Sequence, residues 1–247
     1  MLPPSYNTGL ITFTVIALVI FVILFKIQAP YGRHLRPGWG PGIPGRYAWI
    51  IMEAPAALIP FILYLLCGGE RYIPLVLLAI WEVHYIHRSF IYPFLIKSNK
   101  DMPLSIMMSG FTFNCCNGFF QGMWLFVYSE YPAGWFFTPQ FIYGCLAFAA
   151  GLFINIHSDH ITRGLRRYPE DGYSIPYGGL YRFVSAPNYL GEIIEWSAWA
   201  LLTCSVPGLI FAIWTVANLA PRALSNHEWY IENFPDDEKQ HQPLQQK

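Results

Sequence analysis

Residues 8–25 (TGLITFTVIALVIFVILF) form an unbroken apolar run, about the ~20 residues that carry a helix across a bilayer. No basic residue precedes the run and no small-residue cleavage site follows it, so the pattern predicts a first membrane span rather than a signal peptide. Further apolar segments follow at about 47–67, 73–96, 104–128, 141–156, 189–204 and 207–219. The last two are separated by a short turn at 205–208. Between the first two lies a segment rich in proline and glycine, 26–46, carrying Lys26, Arg33, Arg36 and Arg46; that composition breaks helices and predicts a loop. The pattern therefore predicts an all-α integral membrane protein with seven transmembrane helices in a single domain, 1–247. Its last residues, about 236–247, read as a mobile, solvated tail.

The polar positions that interrupt these runs are grouped rather than scattered. Glu53 stands in the second run, followed at once by Ala54 and Pro55. In the third, WEVHYIHRSFIY places Tyr85 three residues and His84 four residues before Arg88, so the groups share one side of a helix. In the fourth, Asn114, Asn117 and Gln121 recur at helical spacing. Any one of these could bond across a helix interface, but the stripe as a whole predicts a lined cavity. The densest group lies between Gly151 and Trp196: Asn155, His157, Asp159, His160, several arginines, Asn188, Glu192 and Glu195. Ionisable groups this close to a bilayer are costly unless they face protein, water or a ligand, which predicts a polar ligand site at the membrane's edge.

Composition agrees: 54% of the residues are hydrophobic and 12% charged, too apolar and too weakly charged for a soluble domain of this size. Net charge is zero, which gives no argument for a nucleic-acid partner. Cys67, Cys115, Cys116, Cys145 and Cys204 all fall in apolar segments with no CxxC or CxxH spacing, so buried free thiols are expected rather than disulfides or a thiolate metal site. Every lysine and arginine except Arg71 lies in the loops after the first, third and fifth spans, near the inner end of the third, or beyond the last span. The positive-inside rule then sets the N-terminus outside and the C-terminus in the cytosol, with the stretch from Asn155 to Asn188 on the cytosolic side.

Arg163, Arg166, Arg167, Arg182 and Arg222 supply more fixed positive charge than a neutral ligand needs, and guanidinium groups match phosphate as bidentate donors. Asn155, Asp159, Asn188 and Glu192 offer the directional hydrogen bonds a ribose, amide or adenine requires. Asn188, Glu192 and Glu195 share one helical face. No GxGxxG follows a strand, and the Gly178-Gly179 pair alone is no phosphate loop. His157, Asp159 and His160 lack a second ligand cluster, so no metal is expected.

Several long motifs now matter together: NIHSDHITRGLR, YSIPYGGLYRFVSAPNYLGEIIEW and RALSNHEWY in the C-terminal half, and HYIHRSFIYP and NGFFQG in the N-terminal half. They resemble the steroid 5α-reductase family over most of the chain, about 49–234. The resemblance implies a seven-helix membrane enzyme that encloses NADPH and reduces the carbon-carbon double bond of a 3-keto-4-ene steroid. It implies Glu53 and Tyr85 as the catalytic pair at the substrate ketone. It implies Asn117, Asn155, Asp159, Arg166, Tyr173, Asn188, Glu192, Arg222, His227 and Tyr230 as cofactor-binding residues, with Trp49, Met52 and Phe113 lining the substrate pocket. The partners implied are a steroid or other lipophilic enone and the lipid bilayer, with no obligate protein partner; the membrane would be a bacterial inner membrane or the endoplasmic reticulum. Three departures stand out: Met52 where the animal enzymes have glutamine, Ser109 where an animal enzyme has a cofactor-contacting arginine, and Ser225-Asn226 where animal sequences have consecutive histidines.

The residues support that chemistry on their own terms. Hydride delivery to the β-carbon of an enone builds negative charge on the ketone oxygen, which a positioned donor stabilises. Tyr85, with Glu53 bonding to it or to the oxygen, fits that need without a metal. Three readings compete: a trans-2-enoyl-CoA reductase, which differs mainly in its acyl substrate; an isoprenylcysteine-type methyltransferase, which has no need of the Glu53 and Tyr85 pair; and a sterol-binding protein without activity, which has no need of the arginine-rich surface.

Overall fold

Seven long helical stretches run through the residues that the computed structural model describes, which are 2–27, 30, 32–96, 100–165 and 174–234. They are α1 (Pro4–Lys26), α2 (Gly45–Cys67), α3 (Tyr72–Ile86), α5 (Leu104–Met123), α6 (Pro139–Leu165), α7 (Pro187–Thr203) and α8 (Val206–Asn233), with α3 passing through one wide turn, His87–Ile91, into a short α4 (Tyr92–Leu95). A second wide turn, Trp124–Tyr128, ends α5. The segment before α2 is tied to the segment before α5 by a two-residue antiparallel ladder, β1 (Gly42–Ile43) on β2 (Met102–Pro103). The tail lies outside the described residues.

The helices follow the apolar runs closely, with two differences. The fifth run was expected to end near residue 156, yet α6 continues to Leu165, and the last run was expected to end near 219, yet α8 continues to Asn233. Both extensions are polar. Apolar length reports how much of a helix sits in hydrocarbon, not where its hydrogen bonding stops. Asp159, Arg163, Arg222, His227 and Tyr230 are thereby set on rigid helices instead of loops.

Four of the helices, α1, α2, α6 and α8, are long and apolar enough to cross a membrane by length and composition. Leucine, isoleucine, valine and phenylalanine side chains stand exposed along them, among them Leu66 at 74% and Phe153 at 67%. A surface of that kind suits hydrocarbon and not water. The cysteines are free, as expected, but Cys67 and Cys204 are exposed at helix ends and the other three only half-buried, Cys116 and Cys145 at the edge of the core, so the expectation of buried thiols fails.

Local chemistry explains the packing. Pro60 within α2 has no N–H to give to the Ala56 carbonyl four residues back; the Trp81 indole donates to that carbonyl instead, at 2.8 Å, pinning α3 to α2. Trp81 is fully buried and packs on Trp199 at 5.0 Å, Trp196 at 5.2 Å and Phe211 at 5.6 Å. This aromatic group is the centre of the core. Glycines let backbones meet elsewhere, Gly118 and Gly122 of α5 against Pro55 and Pro60 of α2, and Gly151 of α6 against Gly191 of α7. Arg71, the one basic residue set apart by charge, donates to the carbonyls of Gly68, Ser129 and Phe126, so it closes the α2–α3 turn onto the end of α5.

Candidate active site

The Gly151–Gly191 approach positions the polar ends of α6 and α7. One turn beyond it, Asn155 donates to the Asn188 carbonyl and to Glu192 Oε1, both at 3.1 Å, and Asp159 accepts from Asn188 Nδ2 at 3.1 Å. Asn155 and Asp159 are 2% and 4% exposed. The pair of helices therefore presents Asn155, Asp159, Asn188 and Glu192 as one connected group.

α3 brings a cation to that group. Arg88 reaches Asp159 through Nη1 and Glu192 through Nη2, each at 3.4 Å, while its guanidinium lies 4.6 Å over Trp49 and 4.7 Å over Tyr92. Arg163 covers Tyr92 as well, at 5.7 Å. Arg88 falls in the wide turn His87–Ile91, and inserted turns of this kind re-aim the side chains that follow them. Its fork and flat faces suit two carboxylates and two rings in a way a lysine could not.

One helical turn before Arg88, Tyr85 is 3% exposed and stacks on Trp196 at 5.4 Å and 30°. It lies beside Asn117 and within electrostatic range of Glu53, Glu192 and Glu195. Glu53, partly buried on α2, accepts from Asn114 Nδ2 at 3.1 Å; the same amide donates to the Met52 carbonyl at 2.8 Å. Gln121 donates to Asn117 at 3.2 Å and to the Pro207 carbonyl at 2.8 Å, and accepts from the Trp199 indole at 3.0 Å, which fixes the α5 stripe against α7 and α8. The fold thus brings Glu53, Tyr85, Asn117, Asn155, Asp159, Asn188, Glu192 and Trp49 into one buried neighbourhood.

The other expected residues are placed differently. Met52 leans on Gly110 so closely that a Cβ there would lie 2.5 Å from its sulfur. Phe113 packs with Phe13 at 5.7 Å and Trp214 at 4.9 Å, in the aromatic layer between α1, α5 and α8. Arg222, His227 and Tyr230 follow one another along the polar half of α8; His227 Nδ1 is 2.7 Å from Ser185 Oγ. Tyr181, in the connection between α6 and α7, lies within electrostatic range of Asp159 and Tyr230, and burial pushes its hydroxyl well above the usual phenol range, so it stays a donor. Ser109 turns its hydroxyl back to the Ile106 carbonyl at 2.8 Å. Arg166 and Tyr173 lie outside the described residues.

Several buried polar atoms in and around this neighbourhood have no hydrogen-bond partner among the described residues: Asn117 Nδ2, Arg163 Nη1, Arg222 Nε and Glu195 Oε2. Buried groups are normally paired, so orphans mark places where a ligand or water completes the bonding. Amide and guanidinium donors fit the carboxamide, ribose and phosphate oxygens of a dinucleotide. Among the described residues no three His, Cys, Asp or Glu side chains converge as metal ligands.

The sequence reading omitted His84, Arg88, Asn114, Gln121 and Glu195 from its site residues. Their signal is the helical spacing in HYIHR, in Asn114, Asn117 and Gln121, and in Asn188, Glu192 and Glu195, which marks shared faces but not the partners across them.

Comparison with known proteins now bears on this geometry. Residues 100–244 match the family described as 3-oxo-5-alpha-steroid 4-dehydrogenase. The chain is 40% identical over 229 residues to 3-oxo-5-alpha-steroid 4-dehydrogenase 1 of Bos taurus, covering 90% of this chain and 88% of the relative. It is 40% identical over 239 residues to steroid 5-alpha-reductase DET2 of Gossypium hirsutum, covering 94% and 92%. The human 3-oxo-5-alpha-steroid 4-dehydrogenase 1 is 40% identical over 214 residues, covering 85% and 83%.

Proposed function

Because the chain belongs to the 3-oxo-5-alpha-steroid 4-dehydrogenase family, a family of oxidoreductases, we propose that it reduces the 4,5 double bond of 3-keto-4-ene steroids by hydride transfer from NADPH, giving 5-alpha-reduced products. The observation that carries this reading is the approach of Tyr85 and Glu53 from two different helices in a water-poor interior, with Asn114 and Asn117 beside them. Family membership favours a steroid over an acyl-CoA thioester or a prenylated cysteine as substrate.

NADPH, when bound, supplies the hydride for the steroid's C5. Asn117, Asn155, Asp159, Arg166, Tyr173, Asn188, Glu192, Arg222, His227 and Tyr230 are the residues that hold it in this reading, with Arg163 Nη1 and Arg222 Nε, which have no partner among the described residues, suited to phosphate. Tyr85 donates its hydroxyl hydrogen bond to the C3 ketone as negative charge gathers there, and Glu53 holds the phenol or the ketone in line. A proton taken up from solvent at C4 then discharges the enolate. Trp49, Met52 and Phe113 face the steroid's apolar body.

The same reading makes the chain one membrane-embedded domain of seven spans, with its N-terminus outside, its C-terminus cytosolic and the cofactor region facing the cytosol. The decisive experiment is NADPH oxidation by the purified protein on addition of progesterone or testosterone. Oxidation with a 5-alpha-reduced product supports the proposal. Absence of turnover with either steroid, in protein that binds NADPH, overturns it.

A further inference from the structure

His84 and Tyr85 are consecutive on α3, and Glu195 and Trp196 are consecutive on α7. Across the interface these two dipeptides pair residue for residue. His84 Nδ1 lies 2.9 Å from Glu195 Oε1, with side-chain exposures of 5% and 0%, and Tyr85 stacks on Trp196 at 5.4 Å and 30°. The imidazole stands edge-on to both rings, 4.6 Å from Trp196 and 5.0 Å from Tyr85. Trp196 is backed by Phe211 at 4.5 Å and Trp81 at 5.2 Å, so it is a fixed surface.

Ring stacking alone leaves the phenol free to slide, because offset arrangements over a range of positions are close in energy. A hydrogen bond between ionisable groups in the interior is far more directional. Glu195 Oε2 has no partner among the described groups, so the bond from His84 is the one hydrogen bond that this buried carboxyl makes among them. A slip of α3 along α7 would break that bond and strand the carboxylate.

The geometry points to the His84–Glu195 pair as a positioning device: it locks the register of α3 on α7, and so holds the Tyr85 phenol over Trp196 with its hydroxyl toward Glu53 and Asn117. The inference rests on the reading of Tyr85 as the donor to the ketone. Neither His84 nor Glu195 is required to touch substrate.

The test uses full-length protein with 3-fluorotyrosine at position 85 and two readouts: the fluorine resonance without steroid, and single-turnover steroid reduction at saturating NADPH. The parent should give one narrow resonance. His84→Phe should broaden or split it and slow the turnover by about tenfold to a hundredfold, the size expected of a misplaced catalytic group, while NADPH affinity stays within about twofold of the parent, under the tenfold that one lost contact can cost. His84→Asn, whose amide nitrogen can occupy the Nδ1 position, should restore both. A parent-like resonance and rate in His84→Phe overturn the inference, as does a failure of His84→Asn to restore them. Should His84→Phe not fold, His84→Phe with Glu195→Leu removes both polar ends together, a change that can be nearly neutral for stability, and the same outcomes decide. Failure of that double variant to fold, with Glu195→Gln normal, reduces the pair to a structural role and overturns the inference too. A parent that reduces no steroid refutes the functional proposal, while the fluorine resonance still decides the register.

Discussion

Gly151 and Gly191 bring the backbones of α6 and α7 into direct contact: a Cβ on either would lie 2.7 Å from the other's carbonyl oxygen. Asn155 follows Gly151 by one turn and Asn188 precedes Gly191 by one, so this contact sets the spacing at which Asn155, Asp159, Asn188 and Glu192 bond. Gly151→Ala or Gly191→Ala pushes backbone against backbone, which has no side chain to yield. Each should lower stability by about 1–3 kcal/mol, the cost of overpacking a tight interface, and should weaken NADPH binding as well. Thermal unfolding in detergent and cofactor titration check this; a parent-like melting temperature in both variants would contradict the contact.

Arg88 is the only side chain that touches both Asp159 and Glu192 among the described ion pairs. Arg88→Ala leaves the buried Asp159 and the half-buried Glu192 without their shared cation, and removing one member of a buried pair costs up to about 3–5 kcal/mol. Arg88→Lys keeps the charge but loses the fork and the stacking on Trp49 and Tyr92, so it should recover only part of that loss. Denaturant unfolding of the three proteins should rank them parent, lysine, alanine. Equal midpoints for lysine and parent would show that charge alone suffices.

Tyr85→Phe removes one hydroxyl from a ring that packing already holds. It should keep fold and NADPH affinity while slowing single-turnover reduction of a 3-keto-4-ene steroid on the order of a hundred- to a thousandfold, the usual effect of losing one such donor. Glu53→Gln should also be slow, by less, because the amide can still donate one hydrogen bond. Parent rates in both variants would mean that the ketone is held elsewhere.

Cys204, between α7 and α8, has φ 45, the left-handed region that side chains disfavour. Its side chain is exposed, and so little packing is lost with it. Cys204→Gly should raise stability by roughly 0.5–1 kcal/mol, read as a small upward shift in melting temperature. A downward shift would indicate that the thiol makes a contact worth more than the strain.

Much of this protein was legible as one-dimensional pattern. The seven apolar runs gave the helices, because a hydrocarbon environment demands long apolar stretches with all backbone bonds internal. Helical spacing marked the inward faces of HYIHR and of Asn114, Asn117 and Gln121, and the quoted motifs carried the family, since those residues lie together in the chain. The ends of α6 and α8 were misjudged because hydropathy falls where a helix leaves the membrane even though the helix goes on. Partnership was the part that only tertiary structure decided. His84 meets Glu195 across 111 residues of chain, and Arg88 meets Asp159 across 71. Nothing in local sequence sets those distances; they follow from the close packing of separate helices, with the wide turn His87–Ile91 aiming Arg88 at α6.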